Sequence, residues 1–581
     1  MALPGLSFEV VRPRTPTTIR SDRGAIALLA ARGPVGEVVS IEGRAQLEQV
    51  FGCPEPGMLG VRAGHAFFAN GGEELLVVRI EPSEARSAGA GWPLVDGGVL
   101  SLRAREPGAF GSGLRLRARL RVARRARGTA PSATTFQTAT TDAENVGRPA
   151  LVSSGLSKEW TVIQGVGATG YTVSPALTFG PATPLVMTLF ERHYEIDVVE
   201  PGRSERTVNL DPNDVGAFES ALEGTPIAVD GAVSPGVLAF PQPDSILALT
   251  GGDDGLDPAG DSGALADAFR AAFEVLEASS SADLVFCPDL WSRVFRQKGI
   301  RRLALDAFQA RELAVDLVRR AARASDRVVL LDPPLTEDAT PRPYSREELL
   351  DWRRELESRL RADRDFAALH GPWVRVAAPE HPFRGDETLI EPPSGYVAGR
   401  MARTGLARGP WIATGGTDLA GVVGLSENFA GEDLEALADV GINPLTVGAT
   451  GVSIRGVRSL SYPDRRPWRF LSTRRLFNYL RRVLEPIGRT YAFEPNTPST
   501  WLNLRRDIES VLRALFAQGA FSGSTNRDAF FVKVDATLNP EAARENGVLT
   551  AHIGVAPAAP LEFLLVRLVA NQDGAAVVEE A

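Results

Sequence analysis

Lysine, cysteine and histidine are scarce in this 581-residue sequence, and each scarcity closes off some chemistry. The two cysteines, Cys53 and Cys287, lie far apart beside apolar residues, so they read as small buried hydrophobes in a reducing compartment, not as a disulfide pair. The five histidines, His65, His193, His370, His381 and His552, stand at no metal-ligand spacing, and packing or surface roles are expected for each. Lysine occurs only as Lys158, Lys298 and Lys533, and arginine carries the remaining positive charge, a bias that a GC-rich genome accounts for. No apolar run approaches the roughly 20 residues of a membrane span. MALPGLSFEVVRPR lacks the apolar core of a secretory signal, so folding in the cytoplasm without direct membrane insertion is expected. The net charge of −9 argues against nucleic acid as a partner.

What is present describes an ordinary globular chain, 44% hydrophobic and 23% charged. Its length predicts roughly three to four domains. GAIALLAARGPVGEVVSI reads as two strands around a Gly-Pro turn, GRAQLEQVFG as a short helix and EELLVVRI as a strand. From about 100 to 235 the character is β, with LRLRARLRVA, EWTVIQGV and HYEIDVVE between turn residues. From about 245 to 380 strands and helices alternate, which implies a largely parallel buried sheet. One of these helices opens on a capping box, Ser345 with Glu348. Two further helices follow, one over about Arg474 to Glu485 and one capped by Thr497 and Pro498. NQDGAAVVEEA reads as a loose tail.

Several motifs suggest chemistry and fail on context. GVGATG (165–170) matches a dinucleotide loop, but strand and turn follow it where a helix is required. GDSG contains Asp261 and Ser262, which precede a helix and read as its cap. TGGDDGLDPAGD gathers Asp253, Asp254, Asp257 and Asp261 without the loop and terminal Glu of an EF-hand, so a Gly-Asp turn is expected. No catalytic, cofactor or metal residue is assigned, and no enzymatic role is expected.

One stretch is too particular to be filler: EPPSGYVAGRMARTGLARGPWIATGG (391–416) is dense in Gly, Arg and aromatic residues yet holds no His, Cys or Lys. Its small residues would let a helix pack closely, with Tyr396, Val397 and Met401 on one face and Arg403 and Arg408 satisfying carbonyls or acids at the turn. The stretch resembles the PPSG-hVAG-hyARTD-RGVWkAPAG block of tail sheath proteins from contractile phage tails and contractile injection systems. It departs at Gly405, where that block has Asp, and at Gly415, where it has Pro. AREPGAFGSGLRL, LTGGDDGLDP, RVVLLDPP, RRLFNYL, FEPNTPSTWLNLRRDIESVLRALFAQGAF and GVLTAHIGVAPAAPLEFLLVRL follow in that family's order.

The resemblance implies an α/β and α+β multidomain chain. An N-terminal extended arm (1–23) leads into a core domain in two parts (24–95 and 380–560). A β-rich outer insertion (96–240), an α/β middle domain (241–379) and a C-terminal arm (561–581) complete it. It also implies a homo-oligomer, a helical sheath of six-fold rings that contracts around an inner tube protein. Baseplate and tail-terminator proteins would be partners, and sister sheath proteins further candidates. Assembly would take place in the bacterial cytoplasm, for a phage tail or a released tail-like particle. The arms, through Leu6, Phe8, Val10, Leu561, Phe563 and Leu565, are expected to add strands to neighbouring subunits. Arg474, Arg475, Arg481 and Arg482, with Arg505 and Arg506 on the next helix, are expected to face the tube. Arg474 and Arg475 sit in a first turn, where positive charge opposes the helix dipole and calls for an outside partner. An α/β enzyme (hydrolase or nucleotide-binding) and a non-contractile tube-forming protein are the alternatives.

Overall fold

A computed structural model describes residues 20–558, 566–570 and 576–580, apart from 55–56, 94–98, 201–204, 211–218, 221, 231–245, 256–261, 280–281, 296–300, 339, 378–387, 465–467, 492–493 and 546. The chain divides into two compact units. The first comprises residues 1–30, 34–80 and 258–581, and the second 31–33 with 81–257.

An eight-stranded sheet organises the first unit. Its order is Val39–Ile41, Leu75–Arg79, Gly24–Leu28, Leu284–Phe286, Val328–Leu331, Ala367–Gly371, Ile442–Val447 and Val452–Ile454. The six central strands are parallel, and an antiparallel strand closes each edge. Strands buried on both faces need apolar residues throughout, which is why GAIAL, VVLL and LLVVR show no polar alternation. This one ladder takes strands from 24–79, from 284–371 and from 442–454, segments that sequence reasoning divided between a core domain and a middle domain.

Among the described residues the helices of eight residues or more are α1 (Arg44–Phe51), α2 (Gly60–Ala69), α3 (Ser262–Ala278), α4 (Ala307–Ala324), α5 (Arg346–Leu360), α6 (Ser394–Arg408), α7 (Glu432–Asp439), α8 (Leu471–Thr490) and α9 (Pro498–Ala517). Ile26, Leu75, Val77, Leu284 and Phe286 pack with α2 and α6 into one core. The alternate residue Val285 meets Phe273, Leu276 and Leu317 of α3 and α4 on the other face. The α5 capping box forms as expected, Ser345 N donating to Glu348 Oε2 at 2.7 Å. A separate apolar cluster joins Leu476 and Leu480 of α8 to Trp501, Leu504, Ile508 and Leu512 of α9 and to Phe530 and Val532.

The second unit is built on a closed antiparallel barrel. Arg115–Ser132 pairs with Leu185–Val199, and the ladder continues through Pro149–Ser154, Ser157–Gly167, Gly170–Ser174 and Thr135–Thr138 back to Arg115–Ser132. Phe136, Val152, Ile163, Tyr171, Met187 and Leu189 fill it. GVGATG is the hairpin turn between two barrel strands, with Gly167 opposite Gly170.

Candidate functional site

In open parallel α/β sheets the carboxyl ends of the strands frame the usual ligand crevice. Here two buried carboxylates fill that edge with main-chain bonds. Asp289, just past Leu284–Phe286, accepts from Leu29 N at 2.7 Å, Leu59 N at 2.7 Å and Gly60 N at 3.0 Å, and so caps α2. Asp332, just past Val328–Leu331, accepts from Ser394 N at 2.8 Å and Ser394 Oγ at 2.7 Å at the start of α6. Burial pushes the Asp332 carboxyl up to about 7, against the pull of the Ser394 hydrogen bonds. Burial raises Asp289 too, although its Ser292 and main-chain donors oppose the shift. Glu391, raised by burial, accepts from the Tyr396 hydroxyl at 2.6 Å. Among the described residues no cluster of His, Cys, Asp and Glu could hold a metal ion.

This edge explains the particular stretch at 391–416. A Cβ on Gly395 would lie 2.5 Å from the Ala63 carbonyl oxygen, and one on Gly399 2.2 Å from that of Phe67. The two glycines, one helical turn apart, let α6 lie backbone to backbone against α2. Tyr396, Val397 and Met401 are buried as expected. Arg403 and Arg408 are exposed, with no ion pair among the described residues, so the expected turn contacts do not form. At Gly405 a Cβ would lie 2.9 Å from both Arg475 Nη2 and the Ser21 carbonyl oxygen, so the glycine clears room for that guanidinium.

The shared outward arginine face expected on α8 does not exist. Arg475 is 1% exposed and donates from Nε to Asp283 Oδ2 at 2.9 Å and from Nη2 to the Ser21 carbonyl at 3.0 Å. Arg482 Nη2 reaches Asp283 Oδ1 at 3.1 Å, and its Nη1 reaches the Arg20 carbonyl at 3.4 Å. Arg474 pairs with the buried Asp365 and stacks 3.7 Å over the Trp468 ring and 4.2 Å over that of Phe366. The charge in the first turn is thus compensated inside the subunit. α8 is covered on two sides, by α9 over Leu476 and Leu480 and by the Asp283 and Asp365 side over its arginines. Arg481 remains exposed. Arg505 and Arg506 are also exposed, the first 2.7 Å from Glu509 and the second 3.8 Å from Asp507. Pairs of that kind contribute about 0–1 kcal/mol.

A second feature of this part is an open strand edge. Phe530–Lys533 pairs antiparallel with His552–Val555, and its other edge has no partner strand among the described residues. Phe531 and Ile553 stand exposed on this two-stranded sheet. Leu6, Phe8, Val10, Leu561, Phe563 and Leu565 lie outside the described residues. Beyond them Val566–Ala570 pairs antiparallel with Ala576–Glu580, so the expected loose tail is half of a hairpin.

Comparison with known proteins locates these features. Residues 464–571, which hold α8, α9 and the open edge, match the phage tail sheath C-terminal domain. The chain is 27% identical over 203 residues to the tail sheath protein of Vibrio phage KVP40, an overlap that takes in 33% of this chain and 28% of that relative's length. Among solved structures, a chain of the anti-feeding prophage baseplate in its contracted state aligns with a TM-score of 0.55 at 16% identity, covering 98% of this chain and 99% of that one. The sheath tail protein of Listeria innocua aligns with a TM-score of 0.54 at 11% identity, covering 89% of each chain. These two likenesses show a shared fold. The sequence likeness to tail sheath proteins therefore rests on residues 464–571 and on an overlap with about a third of this chain.

Proposed function

We propose that this chain is the subunit of a contractile sheath in a phage tail or tail-like particle. Copies polymerise as stacked six-membered rings around an inner tube, and their contraction drives the tube through a target envelope. The match of residues 464–571 to the tail sheath C-terminal domain carries the reading. The open edge of Phe530–Lys533 inside that domain supports it, because an exposed edge can accept a strand from another chain. The arms, through Leu6, Phe8 and Val10 or Leu561, Phe563 and Leu565, are the strands assigned to it. Tube contact is now assigned to Arg481, Arg505 and Arg506, which remain accessible on α8 and α9. Baseplate and terminator proteins bind the ends of the polymer. The plugged carboxyl edge of the sheet favours this structural role over an α/β enzyme.

The test is co-expression with a tube protein of a contractile tail, followed by sedimentation and electron microscopy. Long striated tubes that shorten and widen on chemical triggering are expected. A small closed oligomer that never forms tubes would overturn the reading.

A further inference from the structure

The barrel of the second unit has a hollow of about 570 Å3 on its outer surface. It is a shallow depression largely open to solvent, suited to an extended, hydrated ligand and not to one that must be enclosed. Arg127 and Thr129 come from the long strand, Gln137 and Thr138 from the short strand beside it, Thr169 from the hairpin turn, and Pro184 from the approach to Leu185. The floor is held by close backbone contact. A Cβ on Gly128 would lie 1.9 Å from the Gln137 carbonyl oxygen, and one on Gly170 2.4 Å from that of Phe136.

Charge along the long strand singles out this end. Further back, Arg119 is paired with Asp197 and Arg121 with Glu195, each at 2.5 Å. Beside the hollow the acidic partners run out, because the residues opposite Arg125 and Arg127 are Thr188 and Val186. Arg125 and Arg127 share one face of the strand, are exposed, and form no ion pair among the described residues. Arg127 therefore stands in the lining with no acidic partner among the described residues, beside the polar groups of Thr129, Gln137, Thr138 and Thr169 and the apolar Ala139, Ala168 and Pro184, while Arg125 lies two residues back on the same strand face.

We propose that this hollow binds an anionic carbohydrate, a sugar acid whose carboxylate is gripped by Arg127, with Arg125 adding a second positive charge beside the lining. Guanidinium forks match carboxylates in a bidentate geometry. Thr129, Gln137, Thr138 and Thr169 both donate and accept, as ring hydroxyls require. None of the lining residues is aromatic, so the wall has no platform on which a nucleobase could stack. The inference rests on the second unit alone and is independent of the sheath reading.

The test titrates the purified full chain with oligomers of alginate, a polyuronate, against dextran oligomers and oligo-thymidylate, by calorimetry at physiological salt. Alginate is expected to bind and dextran not to. Arg127→Gln should weaken binding about ten-fold, the weight of one charge-assisted hydrogen bond, and Arg125→Gln, outside the lining, by less. Thr169→Val keeps the charge and should weaken alginate alone. Circular dichroism of each variant should match the parent, since these side chains are exposed. Absence of alginate binding, unchanged affinity in Arg127→Gln, or oligo-thymidylate binding as tightly with the same losses would overturn the proposal. The last result would reduce the site to a general polyanion surface.

Discussion

Asp283→Asn is the sharpest perturbation of the α8 seam. The Asp283 carboxylate is fully buried and serves two arginines, Arg475 and Arg482, whose side chains are 1% and 8% exposed. Neutralising it leaves two buried guanidinium groups without a counter-charge, facing the Ser21 and Arg20 carbonyls and one amide oxygen. Removing one partner of a buried pair costs about 3–5 kcal/mol, because the remaining charge stays desolvated. The amide keeps one acceptor oxygen, so the lower half of that range is expected. Urea denaturation followed by intrinsic tryptophan fluorescence gives the global value, and hydrogen exchange over residues 471–490 shows whether the loss is local. The control is Glu485→Gln, which breaks an Arg489 pair whose side chains are 49% and 78% exposed and should change little. Asp283→Leu combined with Arg475→Met and Arg482→Met should recover most of the loss, because an apolar replacement removes the desolvation cost altogether. If Asp283→Asn costs no more than the surface control, α8 is not held to the sheet through this carboxylate.

Three further outcomes follow from other sites. The folded Asp332 carboxyl keeps its proton up to about pH 7, whereas an ordinary one loses it near 3.8, so the folded state holds more protons across that window. Its contribution is full below about pH 4 and drains away as pH rises to 7, so urea midpoints of the parent and Asp332→Asn should diverge over that range; parallel profiles would contradict the burial argument. Gly399→Ala places a Cβ against the Phe67 carbonyl and should cost about 1–3 kcal/mol by overpacking, while Gly43→Ala, with nothing within 4 Å, should be silent in the same melt. Deleting residues 1–19, or everything after Pro560, should leave a folded subunit that sediments without forming tubes; tubes of normal length from either truncation would remove the arms from the polymer contacts.

The local grammar of the chain was readable where one side chain decides the outcome. Ser345 and Glu348 marked the start of α5 by a capping box that acts within one turn, and Thr497 with Pro498 marked that of α9 through the proline at its first position, without a hydrogen bond from the Thr497 side chain to the helix main chain. α2 escaped notice for a physical reason. GVRAGHAFFA lacks a stripe of large apolar residues, since Gly60, Ala63 and Gly64 are small to admit other chain segments. The α8 arginines were misjudged because spacing by seven reports which residues share a face and says nothing of what covers it. Their acids, Asp283 and Asp365, stand 192 and 109 positions away from Arg475 and Arg474 in the chain. Barrel closure was equally hidden, since it depends on the long strand pairing with Leu185–Val199 across the whole intervening sequence.

The anchorage of the N-terminal arm has a mechanical consequence. The arm enters the fold at Gly24–Leu28, an interior strand flanked on both sides by parallel neighbours, Leu75–Arg79 and Leu284–Phe286. Tension applied to the arm acts along that strand. The ladder bonds on both sides are then sheared together and do not open one after another. Arg23 at the entrance is fastened as well, its carbonyl accepting from Asp283 N at 3.0 Å and Leu284 N at 3.2 Å. A pull that would peel a hairpin open therefore meets many bonds in parallel here, each worth about 0.5–1.5 kcal/mol net. If the arm adds a strand to a neighbour's edge as proposed, under load it would slip from that edge before tearing from its own subunit, and such a sheath would come apart into whole, refolding-free subunits.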